Sequence, residues 1–129
     1  MSLDRTFLRL GALWLVIGMS FGLVMGVAED FKYAPVHAHI NLVGFACHLL
    51  FGYAYRQWPQ LSGSALAAAQ FWIFVLSTPI MVIGLYFTIG GGPALPTIVG
   101  SLGVLAGAVL FATMVWRMPA NAAAAEARP

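Results

Sequence analysis

Charged residues are scarce in this sequence, and their scarcity sets its class. Only 8% of the 129 residues are Asp, Glu, Lys or Arg, whereas 61% are hydrophobic. An ordinary soluble domain contains about 25% charged residues, so the composition indicates a membrane protein. The basic residues are too scattered to form a groove for nucleic acid, which we therefore exclude as a partner.

Paired cysteines and acidic residues at membrane depth are also lacking. The single cysteine, Cys47, excludes an internal disulfide and a Cys-x-x-Cys redox pair. The four carboxylates all lie outside the predicted helices, which argues against a chain of Asp, Glu and His that relays protons. A proton-coupled exporter needs a carboxylate within a helix and is excluded on the same ground.

Long apolar runs predict an all-α membrane protein. A spanning helix needs about 20 apolar residues, and we predict four transmembrane helices at about residues 7–28, 35–55, 65–88 and 95–117. They should form one four-helix bundle over residues 1–119, followed by a short flexible cytoplasmic tail over residues 120–129. The first run is too long for the apolar part of a signal peptide, so we expect it to stay as a helix.

The few charges predict how the helices are oriented. Arginines flank one side of the predicted helices, and the acidic pair Glu29 and Asp30 lies on the other, with Lys32 as the basic exception. Because basic residues favour the cytoplasmic side, both termini should be cytoplasmic. We expect a multi-pass protein of a bacterial cytoplasmic (inner) membrane.

All three histidines, His37, His39 and His48, fall in the second apolar segment. An ionisable side chain at membrane depth is a candidate functional residue. In an α-helix, which turns about 100° per residue, His37 and His39 point to opposite sides, whereas His37 and His48 share a face. Asn41 and Gly44 lie on that shared face, where Gly44 leaves a flat patch for a planar ring and Asn41 offers a hydrogen bond.

This arrangement favours haem over a compact metal site. Zinc or copper needs ligands that converge within about 2–2.3 Å of one ion, and the two histidines of a helical His-x-His diverge. Haem needs an axial imidazole, an apolar slot and small residues where the ring approaches. We predict non-covalent haem b, because the sequence has no Cys-x-x-Cys-His attachment motif. His48 is a further candidate, for a second haem or a metal.

Ligation of one iron by two histidines predicts an oligomer. One helix cannot place two of its own imidazoles on opposite sides of one iron, so the second ligand must come from another subunit or from a methionine. The methionines within the predicted helices are Met19, Met25, Met81 and Met114, although a methionine in an apolar helix usually packs. In a ring of subunits, His37 of one chain and His39 of the next would clamp one haem at each contact.

The segment Pro35–Phe45, with the sequence PVHAHINLVGF, resembles the haem-ligand helices of subunit I of haem–copper oxidases and of related small proteins. In that family, a His-x-His near the outer end of one helix gives one imidazole to each of two neighbouring haems. His37 and His39 match that motif. The resemblance implies a twelve-helix fold made of three arcs of four helices, so this chain looks like one arc and three copies would form a homotrimer.

The resemblance does not extend to oxygen reduction. The sequence lacks the family's His-Pro-Glu-x-Tyr run and its His-His pair, which form the copper site and the crosslinked tyrosine. We therefore do not expect a complete oxygen-reducing oxidase, and a haem-dependent oxidoreductase of another kind is left open.

Two function classes follow from the sequence. The first is a b-type haem protein that transfers electrons, with quinone or a redox protein as its partner, or that binds a diatomic gas such as nitric oxide or oxygen. The second is a small oligomeric transporter or channel with a histidine-lined pore and no haem. The colour of the purified protein distinguishes them, because only a haem protein has a Soret band.

Overall fold

The computed structural model describes residues 2–118 and is helical apart from short connections. Its four long helices are apolar enough to cross a membrane, and they comprise Leu3–Ala28, Ala34–Gln57, Ala65–Ile89 and Leu95–Trp116. We refer to them as the first to fourth helices. This confirms the prediction of an all-α protein with four helices that could span a membrane. The tail predicted for residues 120–129 lies outside the described residues.

The first helix begins at Leu3, earlier than the prediction of residue 7. The prediction followed apolarity, whereas a helix can continue into the polar region beside a membrane. Asp4 lies in its first turn, where a negative charge favours the helix dipole. The expectation that every carboxylate lies outside the helices is therefore wrong for Asp4, although Asp4 precedes the uncharged part of the helix.

The second helix differs most from its prediction because its middle is not α-helical. An α-helical turn over Ala34–His39 is followed by a π-helix over Ile40–Cys47, and α-helix resumes over His48–Gln57. A π-helix forms i→i+5 hydrogen bonds and has more residues per turn than an α-helix. The α-helical angles predicted between His37 and His48 therefore do not apply across this segment. Extended π-helical segments are rare and are often found at functional sites.

Neighbouring helices pack closely in two pairs, the first with the second and the third with the fourth. Glycines make the second of these contacts possible: a Cβ on Gly84 would lie 2.6 Å from the backbone nitrogen of Thr97, and one on Gly107 would lie 2.9 Å from Cβ of Phe74. Small residues let backbones approach in lipid, where the hydrophobic effect does not drive association.

One aromatic cluster joins all four helices at the end of the bundle where the first helix begins and the fourth helix ends. Its buried members are Phe7, Phe51, Tyr55, Leu61, Ala67, Phe71, Phe74 and Met114. Leu61 belongs to the 3-10 turn Pro59–Gly63, which connects the second and third helices. Many large apolar side chains elsewhere are exposed on the outside of the bundle. An apolar exterior is what a helix bundle presents to lipid or to another membrane subunit.

Candidate functional site

Polar side chains of the second helix fit against glycines of the first helix. A Cβ on Gly22 would lie 2.6 Å from Cε1 of His37, and a Cβ on Gly18 would lie 2.6 Å from Oδ1 of Asn41. Side chains larger than hydrogen at these two positions would collide with the residues opposite. The Gly-x-x-x-Gly spacing of the first helix therefore serves contact within one chain at Gly18 and Gly22.

His37 lies between the first and second helices, and Asn41 supports it from one turn further along. Nδ2 of Asn41 donates to the backbone carbonyl of His37 over 2.9 Å, and the same nitrogen lies 3.3 Å from Nδ1 and 3.4 Å from Nε2 of the His37 ring. The side chain of His37 is partly exposed. The predicted hydrogen-bonding role of Asn41 is thus directed to His37 itself.

The flat patch at Gly44 is covered by Trp14 of the first helix. A Cβ on Gly44 would lie 2.8 Å from Cγ and Cδ2 of the indole. A planar ring does lie against this glycine, but it belongs to the same chain. A porphyrin would have to displace Trp14 to occupy the position that we predicted for it.

His48 is on the same side of the second helix but lies in the aromatic core. Its side chain is 0% exposed, its Nδ1 lies 3.1 Å from the carbonyl oxygen of Val43, and its ring centroid is 5.6 Å from that of Phe7 and 5.1 Å from that of Phe74. The prediction that His37, Asn41, Gly44 and His48 share a face is confirmed, since all four contact the first helix. Packing on every side leaves no room for a haem beside His48 without rearrangement.

His39 is the one histidine on the opposite side of the second helix. Its Nδ1–H donates to the carbonyl oxygen of Pro35 over 2.7 Å, which leaves the lone pair on Nε2. The ring is partly exposed, and Leu42, which lies on the same side, is 64% exposed. A histidine that ligates a metal commonly donates its other ring N–H to a backbone carbonyl, because this fixes the tautomer and the ring orientation.

A single chain does not assemble a complete metal site among residues 2–118. No three His, Cys, Asp or Glu side chains of this range come together, and the structure directs His37 and His39 to different neighbours. An apolar groove of about 320 Å³ lies beside the second helix, where Val36 and Ile40 form part of its wall. The residues that line it come from three helices but include no histidine, and they are Phe21, Val36, Ile40, Val82, Ile83, Tyr86 and Phe87.

The methionines are mostly unsuited to ligation in this arrangement. Met25, Met81 and Met114 are buried in the bundle, whereas Met19 is exposed on the first helix. Met81 packs against Val36 and Ile40 of the second helix. The three buried methionines therefore serve packing within the bundle.

Two buried polar residues were not singled out from the sequence. Gln70 is 0% exposed in the third helix, and its Oε1 accepts a hydrogen bond of 3.0 Å from the hydroxyl of Tyr55. A single amide side chain within an apolar helix was the available signal for Gln70. Tyr55 gave none, because a tyrosine at the end of a membrane helix is common at the interface.

Comparison with protein-family models, with curated proteins and with solved structures finds no match to this chain. The resemblance of Pro35–Phe45 to oxidase haem-ligand helices therefore rests on that segment alone.

Proposed function

We propose that this protein binds haem b at the contact between subunits, with His39 as an iron ligand. The observation that carries the proposal is the hydrogen bond from Nδ1 of His39 to the carbonyl oxygen of Pro35. It leaves the unprotonated Nε2 on the outer surface of the second helix. This is the tautomer and the support that an axial imidazole requires.

The exposed surface around His39 supports a haem site at the contact between two subunits rather than a pocket within one chain. Side chains of the second helix beside it and further along are uncovered, and Leu42, Leu50 and Tyr53 are 64%, 65% and 61% exposed. Leu42, about one turn from His39, would form part of an apolar wall against one side of a porphyrin. Leu50 and Tyr53 lie too far along the helix to reach the iron, and they would face the neighbouring subunit. The other wall, and any second axial ligand, would belong to a neighbouring subunit.

His37 of the adjacent subunit is our candidate for the second ligand, in a homotrimer that resembles the twelve-helix oxidase subunit. In a single chain His37 packs against Gly22, so ligation in trans requires its ring to turn away from the first helix. His39 needs no such movement. We therefore assign the principal ligand role to His39 and the exchangeable role to His37.

Bound haem supplies an iron that transfers one electron or binds a diatomic gas. His37 would decide between these two chemistries. If His37 of a neighbouring subunit held the haem together with His39, the site would be suited to electron transfer with quinone or a redox protein. If His37 stayed packed against Gly22, the haem held by His39 would be able to bind nitric oxide or oxygen.

We further propose that the protein lies in a bacterial cytoplasmic membrane with both termini inside. The support is the separation of charges: the first loop contains Glu29, Asp30 and Lys32, whereas the other ends of the helices carry Arg5, Arg9, Arg56 and Arg117. His39 follows the first loop closely and would lie near the outer surface. A reporter enzyme that is active only in the cytoplasm should be active when it is fused after Pro129. A reporter that is active only outside the cytoplasm should be inactive at the same position, and its activity would contradict this orientation.

The test of function is the absorption spectrum of the protein purified in detergent and loaded with haem. A Soret band, with sharp α and β bands after reduction by dithionite, is the expected result. The oligomer should hold the haem, and dissociation to monomers should release it. A protein that stays colourless when haem is supplied would contradict the proposal and favour the histidine-lined channel.

A further inference from the structure

Two buried polar atoms of the core have complementary hydrogen-bonding capacity. Nε2 of His48 and Nε2 of Gln70 are both buried, and neither has a hydrogen-bond partner within the described part of the chain. Both side chains are 0% exposed. An unpaired polar group is costly in an apolar core, and more so in a membrane protein that cannot recruit bulk water.

The existing hydrogen bonds assign one atom as an acceptor and the other as a donor. Because Nδ1–H of His48 donates to the carbonyl oxygen of Val43, Nε2 of the neutral ring carries only a lone pair. Because Oε1 of Gln70 accepts from the hydroxyl of Tyr55, Nε2 of the amide is left with two N–H donors. One molecule that both accepts and donates would satisfy the two residues together.

Both residues adjoin the same aromatic rings. The Phe7 ring lies 5.6 Å from the His48 ring and is stacked at 5.8 Å on Tyr55, the hydrogen-bond partner of Gln70. Phe74, whose ring is 5.1 Å from His48, lies one turn after Gln70 on the third helix. His48 and Gln70 therefore lie in one aromatic core to which the first, second and third helices contribute.

We propose that a single internal water molecule binds there, accepting from Gln70 and donating to His48. Buried waters typically make two to four hydrogen bonds to groups that would otherwise be unpaired. The water completes a chain that runs from the Tyr55 hydroxyl through Gln70 and His48 to the carbonyl of Val43. Since Val43 is part of the π-helix, this water connects the third helix to the irregular segment that follows His39.

The test is solid-state nuclear magnetic resonance of the full chain in lipid, with ¹⁵N-labelled histidine and resonances assigned through His48→Phe. In the unsubstituted protein, we expect Nε2 of His48 to resonate upfield of a free imidazole nitrogen and to receive magnetisation rapidly from water. Gln70→Met keeps the side-chain length but removes the amide. In that variant the upfield shift and the transfer from water should both be lost.

Thr78→Val is the matched control, because Thr78 is equally buried in the third helix but its hydroxyl donates locally to the carbonyl of Phe74 over 2.8 Å. It should leave the His48 signal unchanged. Absence of water transfer in the unsubstituted protein overturns the proposal, and so does an upfield shift that survives in Gln70→Met. An upfield shift without water transfer indicates direct contact between the side chains and also overturns it.

A double-mutant cycle gives a second test that does not depend on the resonance of His48. His48→Phe and Gln70→Met each leave one partner without its bridge, so each should lower the midpoint of thermal unfolding. The double variant removes both polar groups, and its midpoint should fall by less than the sum of the two single shifts. Additive shifts would contradict a shared water.

Discussion

The two sides of the second helix both carry histidine, but the histidines are packed on one side and partly exposed on the other. On the side toward the first helix, His37 packs against Gly22 and His48 is enclosed by aromatic rings. On the other side, the ring of His39 is partly exposed and donates to the carbonyl of Pro35. Two residues of separation along the chain thus decide whether an imidazole is a packing element or an available ligand.

The comparison shows that the residues opposite a histidine determine its use as much as its own position does. Glycines on the first helix provide the space that His37 and Asn41 occupy, and an indole fills the space at Gly44. Among residues 2–118, no such partner covers the Leu42 side of the helix, where the exposed fraction of Leu42 is 64%. Function is therefore expected on the side that the chain leaves uncovered.

The largest expected effect is that of His39→Ala on haem binding. Loss of the imidazole of His39 should abolish the haem spectrum, because the other two histidines, His37 and His48, pack on the opposite side of the helix against the first helix. The measurement is the haem content per chain after reconstitution and removal of free haem. His48→Phe is the control, because it removes a histidine from the packed side of the same helix, and it should retain haem. Equal haem content in His39→Ala and the unsubstituted protein would refute the assignment.

The next effect concerns stability and tests the packed side. Gly22→Leu should lower the free energy of unfolding by about 1–3 kcal/mol, the usual cost of overpacking, because its side chain would collide with His37. Gly26→Leu is the matched control, because Gly26 lies four residues after Gly22 in the first helix and a Cβ at Gly26 would meet nothing within 4 Å. Unfolding in detergent mixtures measures both.

Combining Gly22→Leu with His37→Ala sharpens this test. Removal of the imidazole makes room for the leucine, so the double variant should lose less stability than the two single variants together. If Gly22→Leu and Gly26→Leu were equally destabilising, the contact between Gly22 and His37 would not be a determinant of packing.

Part of this arrangement was predictable from the sequence, and the limit has a physical cause. Apolar runs indicated four helices, and helical spacing placed His37 and His48 on one face and His39 on another. Spacing within one helix does not reveal which helix packs across it, so the indole of Trp14 over Gly44 could not be predicted. The same holds for Gln70, whose partner Tyr55 comes from a different helix.

The π-helix over Ile40–Cys47 also could not be predicted from the pattern of apolar residues. Apart from Asn41, its residues are apolar or glycine and continue the run on either side, so nothing in their periodicity distinguishes π from α geometry. The hydrogen bond from His48 to Val43, five residues earlier, is compatible with this wider turn. The face shared by His37 and His48 was predicted correctly even though the angles behind the prediction were those of a regular α-helix.

A smaller effect is expected from His37→Ala, which should change the type of haem spectrum rather than remove haem. Without His37 the sixth coordination position opens, so the low-spin spectrum should be strongly reduced while His39 still holds the iron. Binding of carbon monoxide to the reduced protein should increase correspondingly, which a difference spectrum measures. Complete loss of haem in His37→Ala would show that His37 and His39 are equivalent, contrary to their different packing.

The smallest expected signal comes from mixing His37→Ala chains with His39→Ala chains. Neither variant alone can form a contact with both imidazoles. In a closed ring with head-to-tail contacts, random mixing in equal amounts gives each contact roughly a one-in-four chance of pairing an intact His37 with an intact His39. About a quarter of the low-spin signal of the unsubstituted protein should therefore return.

The control is each variant unfolded and refolded alone, which should recover none of the low-spin signal. No recovery in verified mixed oligomers would contradict ligation across subunits, and a low-spin haem in a detergent monomer would exclude both the shared ligands and the trimer.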